Sequence, residues 1–541
     1  MKIGFFISIL NVLVSQIASK RPQNVLFIVV DDLRPALGCY GEKSAHTPNI
    51  DALAEHSIVF RNAYAQQALC APSRNSFLTS RRPDTLHLYD FNNYWRDFTG
   101  NFTTLPEYFK EHGYYTSSFG KVFHPGISSN WSDDQPYSWS AEPFHPPSQK
   151  YMNAAVCRGL DGKLHRNIVC PVEVEFQPGG TLPDVETLTA AVDFLHDVRN
   201  SSKNPFFLAV GFHKPHVPLK FPKQYINLHP LESVELPKAR SYPSLLPTVA
   251  WNPWTDVRKR EDVAALNVSF PFGPMPDSFA RKIKQSYFAA VSYVDDLIGH
   301  LLNAVRENGY FDNTIIVLIG DHGWSMAEHG EWAKFSNFEI ALRVPLLLYV
   351  PGQTDFKTSH LYKYTHVLTE LVDIFPTLVE LTNLSQSLPL CPENSKKIKL
   401  CTEGISLLPV IQNMQKKTNN ATLNMDWKKA AFSQYPRPGI FPTMHPNSDK
   451  PHLRDIKVMG YSLRTWQYRY TEWVLFDNHN FIPRWANMIG AELYNHKLDP
   501  HENINMVNNK EMINIVQLLR AQLHAGWRYS LPKHLVKNIY N

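Results

Sequence analysis

The run Asn24-Val-Leu-Phe-Ile-Val-Val30, which stops abruptly at Asp31-Asp32, decides the fold of this chain. An uninterrupted apolar run of this kind suits a strand covered on both faces. Three more runs match it: Phe206-Phe-Leu-Ala-Val-Gly211, Thr314-Ile-Ile-Val-Leu-Ile319 and Pro345-Leu-Leu-Leu-Tyr-Val350. Helical patterns lie between them, at Pro48–Glu55 and over the longer stretch Asp277–Val305. Buried strands alternating with helices predict an α/β domain, with a large, mainly parallel sheet flanked by helices. Further on, Gln412–Asn424 is polar and lacks apolar periodicity, so it reads as a linker or exposed loop. Tyr461–Val474 alternates and is rich in aromatics, which predicts a hairpin within a smaller C-terminal α+β subdomain.

Composition narrows the class. The chain has 541 residues, 43% hydrophobic and 12% aromatic, enough for a large folded core. Its 54 basic and 49 acidic residues are mixed along the chain, which argues against a nucleic-acid protein with clustered basic residues. Lys2, the apolar stretch Ile3–Val14 and the small residues Ala18-Ser19 read as a secretory signal over residues 1–19. No later segment is apolar for long enough to span a membrane. In that context the cysteines are informative. Cys157 and Cys170 are close in sequence, as are Cys391 and Cys401, and each pair could close a short loop. Cys39 and Cys70 remain, and they might pair with each other. Six sequons, at Asn101, Asn130, Asn200, Asn267, Asn383 and Asn420, suit a glycosylated protein.

Three of the four strand-like runs end in chemically capable residues: Asp31-Asp32, His213-Lys214-Pro-His216 and Asp321-His322-Gly323. Ligands of open α/β sheets sit beyond the carboxyl ends of strands. A single such ending is most simply a cap or a turn; three converging on one edge suggest a metal site. Adjacent carboxylates repel unless a cation neutralises them, and Asp31, Asp32 and Asp321 offer the oxygen-rich cage that calcium or magnesium prefers. His322 is less typical of calcium. A second constellation is Cys70-Ala-Pro-Ser-Arg74. It reads either as a helix start, with Pro72 in the first turn and Ser73 near a cap, or as a catalytic thiol that Arg74 would favour as thiolate.

The Cys70-x-Pro-Ser-Arg74 motif resembles the signature of the sulfatase family, and Gly113-Tyr-Tyr-Thr-Ser-Ser-Phe-Gly-Lys121 is similar to that family's second signature. Further runs extend the resemblance from about Asn24 to beyond Asn505: Asp31–Pro35, Gly120–Asn130, Phe212–His216, Asp321–Trp324, Glu328–Lys334 and Ser433–Pro438. One departure is Ser80, where the longer signature usually has glycine. The resemblance implies an alkaline-phosphatase-like fold, divided into a leader (1–19), a catalytic domain (20–412), a linker or processing loop (413–424) and a C-terminal subdomain (425–541). It implies that a dedicated formylglycine-generating enzyme oxidises Cys70, and that Asp31, Asp32, Asp321 and His322 bind Ca2+ together with the modified residue 70. Arg74, Lys121, His124, His213 and Lys334 would surround the sulfate; Asp134, Trp324 and Lys450 would contact the sugar ring and its carboxylate.

The implied activity is exo-acting hydrolysis of the 2-O-sulfate of terminal iduronate in heparan and dermatan sulfate, in a lysosomal or secreted protein. The chemistry favours the modification: a thiol would leave a stable thiosulfate-type ester, whereas a hydrated aldehyde carries two hydroxyls on one carbon. Two alternatives stand beside it. A phosphatase of the related scaffold would use Ser or Thr and a two-zinc site, and a silent sulfate-binding homologue would keep Cys70 as a thiol. His46, His216 and His329 read as structural or supporting residues, and the aromatic run Trp466–Trp473 as strand packing.

Overall fold

A computed structural model describes residues 23–159, 161–201, 204–243, 245–356, 362–416 and 425–537. The expected leader at 1–19 lies outside the described residues, as does the sequon asparagine Asn420. The strands are β1 (Asn24–Val30), β2 (Ile58–Tyr64), β3 (Tyr115–Gly120), β4 (Phe206–Phe212), β5 (Thr314–Gly320), β6 (Arg343–Val344), β7 (Leu346–Tyr349) and β8 (Lys363–Glu370). They form one sheet in the order β6-β2-β7-β5-β1-β4-β3, with β8 beside β2. The neighbours β5, β1, β4 and β3 are mutually parallel. The run at 345–350 forms β7, but it lies antiparallel to both β5 and β2. The sheet is therefore mixed, and its parallel half is the half that carries the chemistry.

The opening run shows why. Alternate residues of β1 enter different cores: Leu26, Ile28 and Val30 face one, and Val25, Phe27 and Val29 face the other. Each fully buried side chain of this size contributes about 1.5–3 kcal/mol. Helices α1 (Pro48–His56), α3 (Pro183–Ser201) and α4 (Asp277–Glu307) cover the first face. Helices α2 (Cys70–Thr79), α5 (Ile374–Leu381) and α6 (Leu408–Lys416) cover the second. Residues Gln412–Lys416, expected in a linker, are instead the end of α6, where Val410 and Ile411 anchor the helix in the core. The rest of that expected loop, 417–424, lies outside the described residues.

The C-terminal unit is an antiparallel sheet of β9 (Ala430–Arg437), β10 (Val458–Thr465), β11 (Tyr468–Asp477) and β12 (Ile482–Asn495), backed by α7 (Ile513–Ala525). The predicted hairpin is β10–β11, with Trp473 fully buried and its indole donating to Glu492. Buried charges weld this unit to the first. Glu339 accepts from Arg464 at 3.0 Å and from Arg469 at 2.7 Å, and Arg469 also reaches Glu502. The nearby trio Glu339, His496 and Glu502 has the spacing of a metal site, but the two guanidinium groups already neutralise its acids.

Both expected short loops are closed by disulfides, Cys157–Cys170 and Cys391–Cys401, while Cys39 and Cys70 are free. The asparagines of the sequons at Asn101, Asn130, Asn267 and Asn383 are exposed.

Candidate active site

Four adjacent parallel strands end on one edge, and each delivers part of the site. Asp31-Asp32 follow β1, Asp321-His322 follow β5, Lys121 follows β3, and the 213–216 segment follows β4. The sheet edge is drawn tight there. A Cβ at Gly211 would lie 2.0 Å from the Lys121 carbonyl oxygen, so only glycine lets the two chains approach.

Cys70 is the first residue of α2, with Leu69 as the cap. Ser73, expected near the cap, lies one turn further in, and its hydroxyl donates to the carbonyl of Asp321. All ten residues of α2 are buried, which fixes the Cys70 side chain where the strands end. Its Sγ lies 3.1 Å from Lys334 Nζ, 3.3 Å from His322 Nε2 and 3.5 Å from Asp31 Oδ1. At the other end of α2, Ser80 takes a left-handed conformation with φ 52°, which explains the glycine usual at this position. Here the serine hydroxyl compensates by donating to Val372 O at 2.6 Å, with Thr402 Oγ1 at 2.7 Å.

The acids are held by cations. Arg74 donates to Asp321 Oδ2 at 2.9 Å and to Asp31 Oδ1 at 3.1 Å. Lys121 pairs with Asp31, and Lys334 reaches Asp32 Oδ1 at 2.5 Å. Burial pushes the Asp31 carboxyl up, but Lys121, His216, Arg74 and Lys334 together hold it well below the carboxylate range. Burial dominates at Asp32 and raises it despite Lys334, with Asp31 adding to the rise. Burial and then the Asp31 charge push the Cys70 thiol up to about 12. The surroundings therefore withhold the thiolate that a cysteine nucleophile needs, and Arg74, expected to favour it, is committed to two carboxylates.

One observation bears directly on a metal. The ligand atoms of Asp31, Cys70, Asp321 and His322 lie within 4.8 Å of one another. Asp32 Oδ2 is buried without a hydrogen-bond partner among the described residues. Three carboxylates, one with an unused oxygen, suit a hard divalent cation.

Two imidazoles exchange the parts expected of them. His213 is tied down by Asp184, which accepts from its backbone N–H at 2.6 Å and lies 3.2 Å from its Nδ1. His216 instead approaches the cage, its ligand atom within 4.8 Å of those of Asp31, Asp32 and Cys70. Its Nδ1 faces Val217 O at 2.7 Å, which leaves Nε2 toward the acids. His213 was the expected sulfate-site residue and His216 the supporting one; it is the His216 ring that the turn after β4 brings to Asp31, Asp32 and Cys70. Burial, then Lys334, depress His216 well below the usual histidine range. His124 is also depressed well below that range, by burial and then Lys121, and its ring lies 4.5 Å from that of Phe91. Lys334 is the opposite case, because the charges of Asp32, Cys70, Asp31 and Asp321 overcome burial and keep it protonated.

The expected sugar contacts divide. Asp134 is fully buried, and Tyr94, Arg96 and Ser138 all donate to its carboxylate, so its oxygens are consumed within the protein. Trp324 is also fully buried, stacked on Tyr287 with centroids 5.4 Å apart, and offers no face to a ring. Lys450 alone stays partly open, with Nζ 2.6 Å from Asp256 Oδ2. His329, expected to be structural, is buried against Phe338.

The family model for sulfatases matches residues 23–384. This chain belongs to the sulfatase family. The sulfatase is 51% identical to the iduronate 2-sulfatase of Mus musculus over 516 residues, spanning 92% of this chain and 93% of that one. It is equally similar to the iduronate 2-sulfatase of Homo sapiens, 51% over 515 residues with the same two shares. In fold it resembles a phosphonate monoester hydrolase from Silicibacter pomeroyi, with a TM-score of 0.68 at 20% identity, over 95% of this chain and 96% of that one. The sulfatase is thus a sulfuric ester hydrolase on an alkaline-phosphatase-like fold. Sequence reading missed His216, Asp184 and Asp256. The adjacent His213-Lys-Pro-His216 pair was visible, but nothing in it says which ring turns inward.

Proposed function

We propose that this sulfatase hydrolyses the 2-O-sulfate of non-reducing terminal L-iduronate 2-sulfate in heparan and dermatan sulfate. The observation that carries the reading is the buried cage around Cys70, in a chain so similar to two iduronate 2-sulfatases. We further propose that Cys70 is converted to formylglycine by a formylglycine-generating enzyme and that the ion beside it is Ca2+. Asp31, Asp32, Asp321 and His322 would hold that ion. Formylglycine supplies, when hydrated, paired hydroxyls on one carbon, and the cation supplies positive charge beside the transferring sulfuryl group.

The chain's own residues do the rest. Arg74 and Lys121 hold Asp31 and Asp321 in place and add positive charge where the sulfate oxygens lie. Lys334, kept protonated, is the proton donor to the sugar oxygen that departs. His124 and His216, both depressed, are neutral and accept protons from hydroxyls at position 70. Lys450, oriented by Asp256, meets the uronate carboxylate. Entry into the secretory route through the leader, with glycans on the exposed sequons and arrival in the lysosome or outside the cell, completes the reading.

The test combines turnover of a 2-sulfated iduronide with mass spectrometry of the peptide spanning residue 70. The expected result is activity, with the sulfur replaced by an aldehyde or its hydrate. A retained thiol in active protein would overturn the modification. Turnover of a different sulfated sugar alone would overturn the substrate.

A further inference from the structure

Asp32 has a φ of 60°, in the left-handed region that residues with a Cβ seldom occupy. Such a conformation persists where the surroundings hold it in place. Here the main chain is held on both sides. The Asp32 N–H donates to Asp321 Oδ1 at 3.0 Å, which ties the end of β1 to the end of β5. The Asp32 carbonyl accepts from the Tyr287 hydroxyl at 2.7 Å, although 255 residues separate the two in the chain. Tyr287 belongs to α4, the long helix that covers this face of the sheet.

That hydroxyl is used in both directions. While donating to Asp32 it accepts from the Arg34 N–H at 3.1 Å, so one oxygen brackets the turn that leaves β1. Tyr287 is fully buried, and burial pushes its phenol up, so the proton stays in place to be donated. Its ring lies against Trp324 with 15° between the planes. The Arg34 guanidinium pairs with Glu328 at 2.8 Å and reaches the Trp324 carbonyl at 3.4 Å. The contacts close a loop from Tyr287 through Asp32, Arg34 and Trp324 back to Tyr287. The consequence falls on the Asp32 carboxylate. Its Oδ1 meets Lys334 at 2.5 Å, and its Oδ2 is buried without a hydrogen-bond partner among the described residues. Letting the main chain leave its left-handed turn would swing the Cα–Cβ bond and carry this carboxylate away from Asp31 and Cys70, its neighbours in the cage.

We propose that Tyr287 is a positioning residue for the divalent cation, its hydroxyl holding Asp32 in the turn that keeps Oδ2 aimed into the cage. The inference rests on the Ca2+ reading above and deepens it. Tyr287 acts through Asp32 and touches neither the ion nor the substrate. Its hydroxyl therefore sets how tightly the ion is held, and leaves substrate binding alone once the ion is in place.

The test is Tyr287→Phe, which removes the hydroxyl and keeps the ring against Trp324. Calcium binding is measured by titration calorimetry on chelated protein, and again as the gain in thermal midpoint when calcium is added. The expected result is a dissociation constant for calcium about tenfold higher, equivalent to about 1.4 kcal/mol, with a smaller gain in midpoint. The KM for sulfated substrate at saturating calcium should not change. Tyr293→Phe is the control: it lies on the same helix, its hydroxyl has no hydrogen-bond partner among the described residues, and its calcium constant should match the parent's. Glu328→Gln, which loosens Arg34, should weaken calcium in the same direction and serves if the Tyr287 variant does not fold. A hydroxyl that only stabilised the fold would lower the midpoint of chelated protein and leave the calcium constant where it was; that result overturns the proposal. An equal shift in Tyr293→Phe would also count against it. If the parent itself binds no divalent ion, the calcium reading fails and the positioning role with it. If the parent binds calcium and Tyr287→Phe binds it as tightly, the calcium reading stands and only the role of Tyr287 is wrong.

Discussion

Lys334 Nζ lies 3.1 Å from Cys70 Sγ, although 264 residues separate them in the chain. The same nitrogen reaches Asp32, so one ammonium group ties Cys70 to the acids around it. An ammonium group paired in this way stays charged while buried, which is what a proton donor at the site requires.

Replacing it should show this directly. Lys334→Ala is expected to lower kcat roughly 100- to 1,000-fold, as losing one preorganised donor does elsewhere. Steady-state kinetics checks it, with circular dichroism confirming the fold. A small change in kcat would mean that the proton comes from another group.

The two histidines after β4 should separate cleanly. His216→Ala is expected to cost at least about 100-fold in kcat, the scale of a lost acid–base group. His213→Asn should act mainly on stability, because Asp184 keeps its bonds to the two backbone N–H groups at 213 and 214. Comparing kcat with the thermal midpoint of each variant decides between them.

Removing divalent ions should reduce activity and lower the thermal midpoint together. Asp31, Asp32 and Asp321 are all fully buried, and Asp32 Oδ2 has no hydrogen-bond partner among the described residues. Chelation followed by calcium or magnesium, read by activity and calorimetry, tests this. Recovery with calcium but not magnesium would fix the ion.

Glu331 gives a prediction in pH. Burial raises its carboxyl from 4.5 to about 8, although Oε1 accepts from the Asn252 N–H at 2.8 Å. A group raised on folding stabilises fully below its unfolded value and loses that contribution as pH rises through the folded one. The parent should therefore lose stability from this group between pH 4.5 and about 8, and Glu331→Gln should flatten that part of a melting-temperature profile. An unchanged slope would show that Glu331 does not titrate there.

Much of the frame was legible along the chain. The runs at 24–30, 206–211 and 314–319 are strands because seven or so apolar residues in a row bury only between two helical layers. The polar residues that end them mark the site for the same reason, since the chain must leave the core there. What the chain left open follows from direction and burial. The antiparallel course of β7 has no local signal, because an apolar run looks alike in either direction. Asp134 and Trp324 carry the right chemistry, yet one is saturated by Tyr94, Arg96 and Ser138 and the other is stacked on Tyr287. The polar end of α6 looked like a linker because only its inward residues, Val410 and Ile411, hold it.

By itself the order of residues determined the strands, the acids at their ends and the cysteine within Cys-x-Pro-Ser-Arg, because burial periodicity and motif spacing are local properties. Only the tertiary structure decided which side chains meet: that His216 and not His213 joins the cluster of acids, and that Lys334 touches Cys70. Those meetings depend on turns and on contacts hundreds of residues apart, where orientation is set by packing and by the cost of leaving a buried charge unpaired.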